Sequence, residues 1–139
     1  MLRIFKTEFV GNFTNRFIVV INFLFGYINY TAYLQSLITA DTLNAIAIGK
    51  VTFEPGARTK LHSHPAGQIL LVPDGVGYYQ EKNQLKKIQC KGDVIKCAPN
   101  IAHWHGASRD SSFAQLAVTG REKGETKWLD VVTDREYLK

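Results

Sequence analysis

The chain has 139 residues, 45% of them hydrophobic, with a formal charge of +5 and a pI near 9.3. That length fits one domain large enough to bury a core, and the composition excludes a disordered or collagen-like chain. Much of the excess charge lies at Lys82, Lys86, Lys87, Lys91 and Lys96. No reading helix or row of stacking aromatics accompanies them, so no nucleic-acid partner is expected, and the lysines read as a solvated edge that discourages aggregation.

In chain order, the first feature is the apolar run "RFIVVINFLFG" from Arg16 to Gly26. It is far too short to span a bilayer, so no membrane partner is expected. Glu8 precedes it and no small-x-small cleavage site follows, which argues against a cleaved signal segment. Residues 1–25 therefore read as an apolar arm or edge strand, and residues 26–139 as a single domain. "TAYLQSLI" fits a short helix or a strand by periodicity alone. "NAIAIGKVTFEPGA" alternates as a strand and ends at the Pro55-Gly56 turn. "GQILLV" is a short strand closed by Pro73-Asp74-Gly75, and "GYYQE" with "LKKIQC" forms a hairpin around Lys82-Asn83. Lys91-Gly92-Asp93 turns the chain into "VIKCA", which ends at Pro99-Asn100. "HWHGAS" and "FAQLAVTG" follow as strands. Turn signals recur at about every 8–12 residues, which indicates an all-β sandwich or barrel. Thr133 caps "DREYLK", and Glu136 completes a capping box for a short C-terminal helix. Cys90 and Cys97 match no metal-type or disulfide spacing. They read as free thiols of a reducing compartment, and the expected location is the cytoplasm.

All four histidines fall into two pairs with one residue between partners, His62 with His64 and His103 with His105. On a strand such partners project to the same side. Gln68 opens the next strand after the Pro65-Ala66-Gly67 bend and can face the same interior. Trp104 faces the other way, as core or as dimer-interface packing.

These residues resemble the two motifs of the cupin superfamily. The first motif is matched in every spacing by Gly56, His62, His64, Gln68 and Gly75, with Gln68 where the family has Glu. Of the second, the spacing from Gly92 holds, as does His103, while its Pro, Gly and Asn fall here on Ala98, Asn100 and Ala107. Asn100 suits the Gly position because Asn tolerates left-handed backbone. The resemblance covers roughly Ala45 to Thr119. It implies a double-stranded β-helix jelly-roll barrel whose interior holds a ligand. A narrower likeness, carried by "HWHGA" and the tail from Trp128 to Asp134, is to stand-alone single-cupin proteins named beside carboxymuconolactone decarboxylases.

By that resemblance His62, His64, Gln68 and His103 ligate one divalent metal ion, with Zn, Ni, Mn and Fe as the candidates. Imidazole suits Zn, Ni and Fe, and a Gln oxygen in place of a carboxylate leaves the ion's charge less neutralised. Affinity for hard ions such as Mn then falls, and a bound oxygen is polarised more strongly. His105 is the candidate general acid/base or, equally, a hydrogen-bond partner of the ligands. Tyr78, Gln115, Arg58 and Lys60 are candidates for the substrate pocket, the two cations for an anionic group at its mouth. The resemblance also implies a homodimer, and the apolar N-terminal segment needs a cover on its own account. Three functions stay open: Lewis-acid catalysis of the isomerase, lyase or decarboxylase type on a small oxygenated molecule; non-catalytic binding or sensing of a small molecule; and iron-dependent dioxygenation, which the missing carboxylate disfavours.

Overall fold

The computed structural model describes residues 6–9, 18–25 and 28–139, with side chains from residue 31 onward. The expectation of an apolar arm or edge strand at residues 1–25 falls partly on residues outside that set. The strands are β1 (Lys6–Phe9), β2 (Ile18–Phe25), β3 (Ile28–Ile38), β4 (Ile46–Phe53), β5 (His62–Ser63), β6 (Gln68–Glu81), β7 (Lys87–Cys90), β8 (Val94–Cys97), β9 (His103–Ala107), β10 (Phe113–Gly120) and β11 (Lys127–Trp128), followed by helix α1 (Asp134–Leu138). "TAYLQSLI" lies in β3, so the helical alternative is wrong. Pairing along both edges decides it: β3 runs antiparallel between β2 and β4.

All pairings are antiparallel, in the order β1-β2-β3-β4-β10-β6-β9-β5-β11, with β7 and β8 also on β6. The sheet curls on itself into the expected all-β jelly-roll barrel. β6 is what closes it. Its first half pairs with β8 and β10, its second with β7 and β9. The Pro73-Asp74-Gly75 stretch is therefore not the end of a strand but a corner inside one. At that corner Val72 and Pro73 lie opposite the single residue Gln115, between the pairs Leu71↔Leu116 and Asp74↔Ala114. This bulge adds one residue to β6 and flips its side-chain parity. Gln68, Leu70 and Val72 are buried before it; Gly77 and Tyr79 are buried after it.

The core lies in three groups. Phe53, Val72 and Phe113 belong to one, with Ala32, Ala57 and Ala107. Leu70, Tyr79 and Cys97 form the second. Trp104 packs with Val132 and Tyr137 outside the barrel, under the C-terminal segment, which makes it core packing within the chain. The capping box at Thr133 and Glu136 forms as expected.

One glycine positions the site. At Gly106 a Cβ would meet Ala57 O at 2.3 Å and Arg58 Cα at 2.5 Å. Its absence lets the segment before β5 lie flat across β9, where Thr59 N donates to His105 O at 2.9 Å and Ala107 N to Ala57 O at 2.8 Å. That segment leads directly to His62. Gly106→Ala forces backbone apart in a packed interior and should destabilise the fold by about 1–3 kcal/mol. Urea denaturation measures this, and an unchanged midpoint would contradict the close approach.

Candidate metal centre

The register sets His62 directly opposite His103, the one pair joining β5 to β9. β5 is only two residues long, and His64 lies just past its end. It is fixed there by two backbone donors to His64 O, from Gly67 at 3.0 Å and Asn100 at 2.9 Å. Asn100 does adopt the left-handed conformation, with φ 61°. The three rings come together in the barrel. His62 lies with its centroid 5.0 Å from His64 and 4.5 Å from His103, and one ring nitrogen of each lies within 4.8 Å of the others.

The opposite nitrogens are committed elsewhere. His62 Nδ1 is 2.8 Å from Lys60 O, His103 Nδ1 2.9 Å from Ile101 O, and His64 Nδ1 3.1 Å from Thr126 Oγ1. A carbonyl only accepts, so His62 and His103 carry hydrogen on Nδ1 and present a bare Nε2 to the interior. Gln68 is oriented the same way. Its Nε2 donates to Thr119 Oγ1 at 2.9 Å, leaving Oε1 buried beside His64. His64 Nε2, His103 Nε2 and Gln68 Oε1 are buried without a hydrogen-bond partner. Leaving such groups unmatched costs about 1–3 kcal/mol each. Three convergent imidazoles, with an amide oxygen beside them, could hold a divalent metal ion.

Electrostatics agree. Burial, reinforced by the neighbouring rings of His103 and His64, pushes His62 down to about 3. Burial, with His103 and Arg121 nearby, pushes His64 down to about 4. Burial lowers His103 and, with the other three rings, holds His105 well below the ordinary range. All four rings are thus neutral at physiological pH, the form that binds metal.

A cavity of about 790 Å³ opens onto the cluster. One wall is apolar, from Ala32, Leu34, Ile48, Val51 and Phe53; the other carries His62, His64, Gln68 and His105. Arg121, Glu122, Glu125 and Trp128 stand at its mouth. His105 is 5.2 Å from His62 and 6.0 Å from His103 between ring centroids, with Phe53 edge-on at 5.8 Å. Gln115 is fully buried against His105. Neither its amide atoms nor His105 Nδ1 has a partner at ordinary hydrogen-bond distance, yet the amide still favours the protonated ring.

Of the four pocket candidates Arg58 alone lines the cavity, and Gln115 lies behind it against His105. Tyr78 faces away from the cavity, packed on Tyr137 and Lys86. The β6 bulge put Tyr79 on the inner face instead, opposite His105 and 5.4 Å from the His103 ring. Arg58 touches the cavity, but its guanidinium is spent on the C-terminal segment. It bonds Val132 O at 2.9 and 3.1 Å and Asp134 at 2.7 Å, and lies over the Tyr137 ring. Lys60 does not line the cavity; its carbonyl, not its amine, serves the site. Thr119, Thr126, Arg121 and Trp128 were not expected there. Cys90 and Cys97 are both free; Cys90 is exposed, and burial pushes the Cys97 thiol up to about 11.

No protein-family model matches the chain. It is 38% identical over 108 residues to the (R)-mandelonitrile lyase of Granulicella tundricola, an overlap covering 77% of this chain and 82% of that protein. Among solved structures, a cupin-like protein of Thermotoga maritima superposes with a TM-score of 0.75 at 40% identity, covering 77% of this chain and 82% of that one. The chain belongs to the cupin superfamily. A cupin-2 domain protein of Rhodospirillum rubrum shares the cupin fold at 13% identity, with a TM-score of 0.65 over 87% of this chain and 79% of that one. In this cupin no helix of the described residues is long and apolar enough to cross a membrane.

The buried rings set a pH signature for the metal-free protein. A histidine whose pKa is depressed on folding takes up its proton only on unfolding, so stability is present above about 6.5 and falls as pH drops towards the folded values near 3 to 4. His62 alone contributes a loss on the order of 3 kcal/mol at pH 4. Thermal melts of metal-free protein should fall steeply between pH 6.5 and 4. His62→Phe should flatten that fall, and a melting temperature independent of pH would contradict neutral burial.

Proposed function

We propose that this cupin is a metal-dependent lyase that cleaves a bond beside the hydroxyl-bearing carbon of a small molecule. The observation that carries the reading is the buried His62–His64–His103 cluster facing a partly apolar cavity, in a chain similar to a protein named for lyase activity. His62, His64 and His103, with Gln68 Oε1, would hold the ion. When bound, the ion supplies Lewis acidity at the substrate oxygen.

The chain's own residues do the rest. The Ala32, Leu34, Val51 and Phe53 wall receives the organic part of the substrate and keeps water from it. His105, neutral and wholly within reach of the cluster, accepts the hydroxyl proton. The electron pair of that O–H bond becomes the carbonyl, the neighbouring carbon bond breaks, and its pair leaves with the departing group. His105 then returns the proton to that group, which balances the cleavage of a cyanohydrin to an aldehyde and hydrogen cyanide. The all-neutral ligand set supports this over oxygen chemistry, since no carboxylate is present to help stabilise an oxidised iron. Decarboxylation of a small hydroxy or keto acid is the neighbouring reaction that the same geometry admits.

The test is aldehyde release from (R)-mandelonitrile by protein loaded with Zn, Ni, Mn or Fe. Activity should require the metal, and His105→Ala should lower kcat by about 10²–10⁴-fold while leaving metal content intact. Turnover that survives chelation, or is indifferent to His105, would sink the mechanism. No turnover of any hydroxy-bearing substrate by the loaded protein would favour a binding or sensing role.

A further inference from the structure

The segment from Arg121 to Trp128 runs from the end of β10 across the cavity mouth into β11. Two of its side chains touch the histidine cluster. The Trp128 ring lies 4.9 Å from His62, and β11 pairs with β5 so that Trp128 stands opposite it. Thr126 Oγ1 is 3.1 Å from His64 Nδ1. Arg121 Nη1 donates to the same hydroxyl at 3.1 Å and to Glu125 at 2.9 Å.

His64 is therefore held differently from its neighbours. Backbone carbonyls fix Nδ1 of His62 and His103 and can only accept. A hydroxyl can accept or donate. If Thr126 donates to His64 Nδ1, the ring carries its hydrogen on Nε2 and cannot ligate. If Thr126 accepts, Nε2 is bare and aimed at the cluster. The two states differ in the orientation of the hydroxyl and in which ring nitrogen of His64 carries the proton, and a metal ion binds only the second.

We infer that Thr126 is a positioning residue for His64, and that through it metal binding is coupled to the Arg121–Trp128 segment at the cavity mouth. This rests on the metal-centre reading above. Coupling of this kind is reciprocal: an ion at the cluster tightens the segment, and a segment held in place raises affinity for the ion. Since Arg121, Glu125, Thr126 and Trp128 all line the cavity, a filled metal site and an ordered entrance then occur together.

The experiment compares Zn²⁺ affinity, by competition with a chromogenic chelator, for wild type, Thr126→Val and Thr126→Ser. Melting of each metal-free protein and hydrogen exchange of residues 121–128 with and without Zn²⁺ complete it. Thr126→Val removes the acceptor at constant shape and should bind Zn²⁺ about 10–100-fold more weakly. Its metal-free form should still melt in one cooperative transition, only modestly below wild type because one partly buried hydroxyl is lost, and Thr126→Ser should restore the affinity. Zn²⁺ should slow exchange across 121–128 in wild type and not in Thr126→Val. Equal affinity in wild type and Thr126→Val, or a Thr126→Ser as weak as Thr126→Val, would overturn the positioning role and leave the metal centre standing. Exchange at 121–128 indifferent to Zn²⁺ in wild type would overturn the coupling. A wild type that binds no Zn²⁺ would overturn both this inference and the centre it rests on.

Discussion

The cross-strand pair His62↔His103 is the contact on which the site depends. It is the only register pair between β5 and β9, and it brings two histidine pairs, far apart in sequence, into one interior. A one-residue slip would turn His103 and His105 outward and Trp104 inward. Several features hold the register. Gly106 lets the segment before β5 lie on β9, Thr59 binds the His105 backbone on both sides, and Arg58 ties the same segment to the C-terminal tail. Trp104 on the outer face is locked by Tyr137 and by a 2.9 Å bond to Gln80.

Four buried imidazoles are an expensive interior for a chain of this size. They displace apolar packing, and a buried ring nitrogen of His64, His103 and His105 lacks a protein partner. Nothing in the folding of a β-barrel calls for that arrangement. It makes sense as the preparation of a site. Backbone carbonyls set the tautomers of His62 and His103, burial keeps the rings neutral, and Thr119 turns the Gln68 amide so that its oxygen faces inward. The neutral shell leaves a bound ion's charge to act on whatever enters from the cavity, whose apolar wall strengthens that field.

Much of this was legible in the sequence. The His-x-His pairs obey strand periodicity, which fixes their direction without knowledge of the sheet. Asn100 was readable as a left-handed position, and Thr133 as a cap, because both depend on local backbone alone. What was not legible depends on tertiary register. Tyr79 rather than Tyr78 faces inward because a bulge at Val72 and Pro73 shifts parity by one residue, and no local signal separates a bulge from a turn at Pro73-Asp74-Gly75. Arg58 looked like an anion binder because its partners, Val132 and Asp134, lie more than seventy residues away. The apolar wall from β3 was hidden for the same reason: "TAYLQSLI" shows its alternation only once β2 and β4 flank it. Thr126 carries no motif at all; its role is visible only as a distance to His64.

The most direct test is a crystal structure of the Zn²⁺-loaded protein with anomalous data collected at the zinc edge. The account requires one strong peak inside the barrel, with Nε2 of His62, His64 and His103 and Oε1 of Gln68 around it at about 2.0–2.2 Å. A peak elsewhere, or bound through Nδ1 with the backbone bonds to Lys60 and Ile101 broken, would contradict it, as would an ion-free barrel in crystals soaked at saturating zinc.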